Sequence, residues 1–199
     1  AEITDRTKAI FIESLANPGG VVTDLEAIAN VAHDAGIVLI VDNTMATPYL
    51  CRPFEYGADI IVHSTTKFLS GNGSSVGGVV IDSGTYDWFQ NDKYPSLTSP
   101  APEYHGLTFA ESFGNLSYTL YGHAVGLRDL GASQSPMNAY LTLLGIETLP
   151  LRMERHCANA QVVAEYLKGH DAVSWVSYAG LKEDKYHDLA ARYIPKGAG

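Results

Sequence analysis

The sequence predicts an α/β protein built on a largely parallel sheet. Three observations predict it. Short aliphatic runs recur through the first half of the chain, a stretch of helical length and pattern separates the first two, and polar residues collect where the runs end.

The elements follow in order. "KAIFIES" (8–14) reads as a buried strand, and "ANPGG" (16–20) breaks it with Pro18 and two glycines. Thr23 fits a helix N-cap, with Glu26 three residues on to complete a capping box. Leu25, Ile28, Ala29 and Ala32 then recur at helical spacing, and Gly36 supplies the stop. "IVLIVD" (37–42) is an almost unbroken aliphatic run, as in a strand covered on both faces. "DIIVHS" (59–64) and "GGVVIDS" (77–83) read as two more of that kind. Residues 92–117 are irregular and aromatic, a long ordered loop of the kind that often borders a site; its tyrosines either contact substrate or, as the plainer reading has it, serve packing. Helices are expected in "LSYTLYGHAVGLRDLG" and "SPMNAYLTLLGIETL", ending near Gly131 and Gly145, and in "LPLRMERHCANAQVVAEYLKGH". "AVSWVSY" (172–178) reads as a strand before a polar helix near 184–193. This last group looks like the start of a second, smaller domain, dividing the chain into residues 1–147 and 148–199.

Composition bounds the function. Of the 199 residues, 46% are hydrophobic and 18% charged, as in a folded globular protein. The formal net charge of −9 argues against a nucleic-acid partner. No apolar run approaches the roughly 18 residues of a membrane span. Cys51 and Cys157 lie far apart and in no C-x-x-C pair, so a reducing, cytoplasmic setting is the default. The histidines form no H-x-x-x-H or H-E-x-x-H pattern, and no metal site is expected. Ala1 leads almost directly into a strand and the chain closes on "PKGAG", which suggests a piece of a longer polypeptide.

In open parallel sheets ligands gather at the carboxyl ends of the strands. Those ends carry Ser14 and Asn17, Asp42 and Asn43, and residues 63–67. If 63–67 continues extended, Ser64 and Thr66 point to one side and Lys67 to the other. Two hydroxyls and nearby backbone N–H groups then grip a phosphate while the amine reaches an electrophilic carbon of the same ligand. A phosphate and an electrophilic carbon on one small molecule describe pyridoxal phosphate, with whose aldehyde a lysine forms a Schiff base. Asp42, an acid ending a buried aliphatic strand, needs a partner. It either caps the following turn or holds the protonated pyridine nitrogen. Asn17 stands in an Asn-Pro turn, and that turn role suffices for it alone. "GNGSSVGG" precedes a strand and is no P-loop. Ser112 lacks the G-x-S-x-G context of a nucleophile.

"VDNTMATPYLCRPFEYGADIIVHSTTKFLSGNG" resembles the signature region of the Cys/Met-metabolism family of pyridoxal-phosphate enzymes. "LGIETLPLRMERHCANAQVVAEYL" is similar to the helix joining that family's two domains. Within the family, "PSLTSPAPEYHGLTFAESFGNLSY" and "GLRDLGASQSPMNAYLTLLG" look most like the O-acetylhomoserine (O-acetylserine) sulfhydrylases. The resemblance implies an aspartate-aminotransferase-like fold of type I: a large cofactor domain with a mostly parallel sheet, then the start of a smaller C-terminal α+β domain. It implies Lys67 as the cofactor lysine, Asp42 as the pyridinium partner, Ser64 and Thr66 as phosphate ligands, and Asn17 near the phenolic oxygen, against its turn reading. It also implies a homotetramer acting on a small amino-acid ester and sulfide or a thiol. The expected reaction is γ-replacement, O-acetylhomoserine plus sulfide giving homocysteine and acetate. Lys67 acts as base, kept neutral by burial and the neighbouring cation. The alternatives are γ-elimination, a cystathionine-forming reaction, or an inactive core. The family's phosphate-binding glycine loop, ring-stacking tyrosine and carboxylate-binding arginine have no counterpart in this chain, so 1–199 alone is expected to be inactive.

Overall fold

A computed structural model of the chain describes residues 2–198. Among the described residues four strands form one sheet in chain order: β1 (Ala9–Glu13), β2 (Val38–Asp42), β3 (Ile60–Ser64) and β4 (Gly78–Asp82). The first three are parallel, and β4 returns antiparallel. The helices are α1 (Leu25–Asp34), α2 (Thr47–Leu50), α3 (Pro95–Thr98), α4 (Phe109–Phe113), α5 (Ser117–Tyr121), α6 (Pro136–Glu147), α7 (Leu149–Lys168) and α8 (His187–Tyr193).

Strand alternation divides the apolar residues between two cores. Leu39, Val41 and Ile61 face one side, where they join Leu25, Ala29 and Ala32 of α1, Met153 of α7 and Tyr193 of α8. Tyr193 seals this layer, donating its hydroxyl to Asp24 Oδ1 at 2.6 Å and standing edge-on to Tyr56. Val38 and Ile60 face the other side, against Trp88, Leu97, Phe109 and partly buried tyrosines. There Trp88 stacks flat on Tyr118, and the Tyr94 hydroxyl accepts the Val38 N–H while donating to the Lys8 carbonyl. The aromatic segment is therefore packing, as its sequence leads one to expect.

Several elements differ from expectation. The N-cap of α1 is Asp24, whose carboxylate accepts the Ala27 N–H; the Thr23 hydroxyl is drawn off to the Glu13 carbonyl at 2.7 Å. β4 is not covered on both faces: Val80 is 58% exposed. Residues 172–178 form no strand, because they have no ladder partner among the described residues, and Trp175 is 77% exposed. α5 runs on into wide π-type turns over Gly122–Asp129 instead of one regular helix. Gly145 lies inside α6, which continues to Glu147. A side chain at Gly145 would collide with the Leu69 and Ser70 carbonyls, so this glycine lets α6 lie directly on the turn that follows β3.

Candidate active site

The carboxyl ends of β1, β2 and β3 open into a cavity of about 300 Å³ lined by Glu13, Leu15, Asn17, Asp42, Thr44, Met45, Ser64 and Lys67. Parallel pairing builds it. Glu13 and Asp42 are register partners, so two carboxylates stand side by side at the mouth, and Asp42 pairs with Val62, two residues before Ser64.

Strand β3 stops at Ser64, and Thr65–Leu69 coils into a single wide turn. The extended continuation through Lys67 is thus corrected: the backbone turns once the ladder with β4 ends, and Ser70 N–H closes onto the Thr65 carbonyl at 3.0 Å. Lys67 itself leaves helical geometry (φ −89°, ψ −125°). Its side chain is exposed, so the burial expected to keep it neutral is not supplied by the described residues.

Behind this turn stands a rigid support. Arg152 donates from Nη2 to the Gly145 carbonyl at 2.7 Å and from Nε to the Thr148 hydroxyl, tying α7 to the helix that rests on the lysine turn. Burial lowers the Arg152 pKa below its ordinary value.

Thr44 knits the strand ends together. Its N–H donates to Asp42 Oδ1 at 2.9 Å, and its hydroxyl accepts the Ser64 N–H at 2.8 Å. The acid is thereby oriented, with its second oxygen left to the cavity. The Glu13 carboxylate accepts the Asn17 N–H at 2.8 Å. Thr66 does not line the cavity; its hydroxyl accepts the Gly77 N–H and donates to the Gly77 carbonyl. His63 lies beneath, buried, with Nδ1 unpartnered; burial pushes its pKa down against the opposing influences of Asp42 and the Asn43 backbone.

Four of the five residues singled out in the sequence therefore meet in one cavity: Asn17, Asp42, Ser64 and Lys67. Glu13 and Thr44 were missed. The available signal for Glu13 was that it ends "AIFIE" as Asp42 ends "VLIVD". The donor set suits pyridoxal phosphate. The side chains of Lys67, Ser64 and Asn17 hold no protein partner among the described residues, and of the two acids beside them Glu13 is engaged by the Asn17 N–H while Asp42 keeps one oxygen free. They offer an amine, a hydroxyl, an amide and a carboxylate to one small polar ligand.

The comparisons agree with this chemistry. The chain is 48% identical, over its whole length, to "Homocysteine synthase" of Schizosaccharomyces pombe, covering 47% of that protein. It is 47% identical to "O-acetyl-L-homoserine sulfhydrylase" of Leptospira meyeri, over 97% of this chain and 45% of that one. A crystal structure described as an O-acetylhomoserine (thiol)-lyase of Campylobacter jejuni superposes with a TM-score of 0.94 at 41% identity. It covers 99% of this chain and 49% of that one, and it carries N'-pyridoxyl-lysine-5'-monophosphate. The chain spans about half the length of the curated relatives it matches. The family model described as "Cys/Met metabolism PLP-dependent enzyme" matches residues 1–199, and the chain belongs to that family.

Proposed function

We propose that this chain supplies the lysine, the ring acid and part of the phosphate cradle of an O-acetylhomoserine sulfhydrylase. The whole protein would exchange acetate for sulfide and release homocysteine. The observation that carries the reading is the convergence of Asn17, Asp42, Ser64 and Lys67 on one cavity, in a chain so similar to homocysteine synthases. No helix among the described residues is long and apolar enough to cross a membrane, and the substrates are small molecules. A cytoplasmic homotetramer is the assembly that the family resemblance favours.

Pyridoxal phosphate, when bound, supplies an electron sink for charge that develops at the substrate's α-carbon. Lys67 Nζ would hold it covalently and, when free, would take the substrate's α-proton and relay protons so that acetate can leave. Asp42, with Oδ1 engaged by the Thr44 N–H, keeps Oδ2 for the proton on the ring nitrogen. The Ser64 hydroxyl would hold phosphate, the Ser64 and Thr65 N–H groups being engaged by the Thr44 hydroxyl and the Gly77 carbonyl. Thr66 would join it only by turning its hydroxyl proton away from the Gly77 carbonyl, while still accepting the Gly77 N–H. Asn17 presents its amide to the phenolic oxygen.

The test is homocysteine release from O-acetylhomoserine and sulfide by the whole protein. Elimination without thiol incorporation, or turnover with cysteine alone, would overturn the assignment. Residues 1–199 by themselves should not turn over, since positioning groups worth roughly 7–11 kcal/mol in well-oriented reactions are incomplete.

A further inference from the structure

We infer that Glu13 is a positioning residue that sets the place of Asn17. The inference rests on the site reading above and adds a residue to it. The segment between β1 and α1 is pinned at its base: the Ala16 N–H bonds to the Val21 carbonyl, the Thr23 N–H to the Ser14 carbonyl, and the Thr23 hydroxyl to the Glu13 carbonyl. Its tip is a short 3-10 turn over Pro18–Gly20. Pro18 has no N–H, and Gly19 and Gly20 sit at φ +76° and +60°, where a side chain would be strained. Asn17 stands at that tip, exposed, and is tied down by its N–H donating to Glu13 Oε2 at 2.8 Å.

Glu13 can make that bond because β1 pairs with β2 in a register that sets it opposite Asp42, at the cavity mouth. The strand is held by its ladder, and the Asn17 side chain has no anchor of its own among the described residues, so the carboxylate transfers the position of the sheet to the Asn17 amide. An Asn17 amide donating to the phenolic oxygen draws charge from the atom that would otherwise help retain the nearby imine proton. Well-placed Asn17 therefore lets that proton leave at lower pH.

The experiment uses the whole protein with cofactor, numbered as here. It measures cofactor dissociation and the pH midpoint of the cofactor's visible absorbance band in Glu13→Met, Glu13→Gln, Asn17→Ala and the Glu13→Met/Asn17→Ala double variant. Methionine keeps the length and removes the acceptor; glutamine keeps an acceptor without the charge. Glu13→Met should weaken cofactor binding roughly ten-fold, as expected for a lost hydrogen bond to a charged group, and raise the midpoint. Glu13→Gln should restore both, and the double variant should be no worse than Asn17→Ala. Should Glu13→Met fail to fold, Glu13→Ala takes its place in the same series. The inference is overturned if Glu13→Met matches the unaltered protein while Asn17→Ala shifts both readings. It is equally overturned if Glu13→Gln is as damaged as Glu13→Met, or if the two losses add. If Asn17→Ala changes nothing, the site reading fails and this inference goes with it.

Discussion

Asp42 and Asp59 are both aspartates at the ends of central strands, and the protein treats them in opposite ways. Asp59 stands at the amino end of β3, 5% exposed. Its carboxylate accepts the Leu39 N–H at 2.8 Å and faces His33 Nε2 at 3.0 Å. Asp42 stands at the carboxyl end of β2, where its carboxylate accepts the Thr44 N–H and otherwise opens to the cavity. Its neighbour Asn43 repeats the lesson at closer range. Fully buried, it accepts from the Ser14 hydroxyl and donates to the Thr47 and Cys51 carbonyls. A buried polar side chain whose partners all belong to the fold stabilises the fold. A half-satisfied one at the strands' carboxyl ends is available to a ligand.

The sharpest way to break this contrast is to truncate each acid in the whole protein. Asp42→Ala should fold normally and lose turnover by roughly 10²–10³ or more, because charge stabilisation at a fixed position acts mainly in the transition state. Asp59→Ala should do the reverse. It should lose about 1–3 kcal/mol of stability in denaturant unfolding while the folded fraction binds cofactor normally. An Asp42→Ala variant with near-normal turnover, or an Asp59→Ala variant of unchanged stability, would erase the distinction.

The support behind the lysine turn should show a smaller, mixed effect. Gly145→Ala forces α6 away from the Leu69 and Ser70 carbonyls, and overpacking of this kind typically costs about 1–3 kcal/mol. Because the displaced turn carries Lys67, cofactor affinity should fall along with the melting temperature. Loss of stability with unaltered cofactor binding would show that α6 does not position the turn.

His63 gives the smallest effect, and its sign follows from burial. Its folded pKa lies below the ordinary 6.5, chiefly through burial, so the neutral ring is favoured in the folded state. Its contribution to stability is present above pH 6.5 and is lost as pH falls through the lowered folded value. Unfolding measured at pH 7.5 and pH 5 should therefore show a larger loss in the unaltered protein than in His63→Gln. Equal losses would remove His63 from the account.

Much of this was legible in the sequence because it is local or periodic. The aliphatic runs located β1, β2 and β3 to within two residues, and the carboxyl-end rule pointed to Asp42, Ser64 and Lys67, whereas Asn17 entered through the family resemblance and strand alternation past Ser64 misplaced Thr66. What was not legible depends on partners distant in sequence. Thr23 would cap α1 but for the Glu13 carbonyl, and "AVSWVSY" has strand composition but no neighbouring strand to pair with. The wide turn at Lys67 is set by where the β4 ladder ends and by α6 lying across Gly145, neither of which is encoded near the lysine. Glu13 was missed because its role lies in a single hydrogen bond to a backbone N–H four residues on.

The central claim is that Lys67 carries the cofactor. Borohydride reduction of the whole protein saturated with pyridoxal phosphate, followed by peptide mapping, tests it most directly. The account predicts a pyridoxyl group on the peptide containing Lys67 and on no other, absent when Lys67 is replaced by arginine. A label on a different lysine, or one that survives Lys67→Arg, would contradict it.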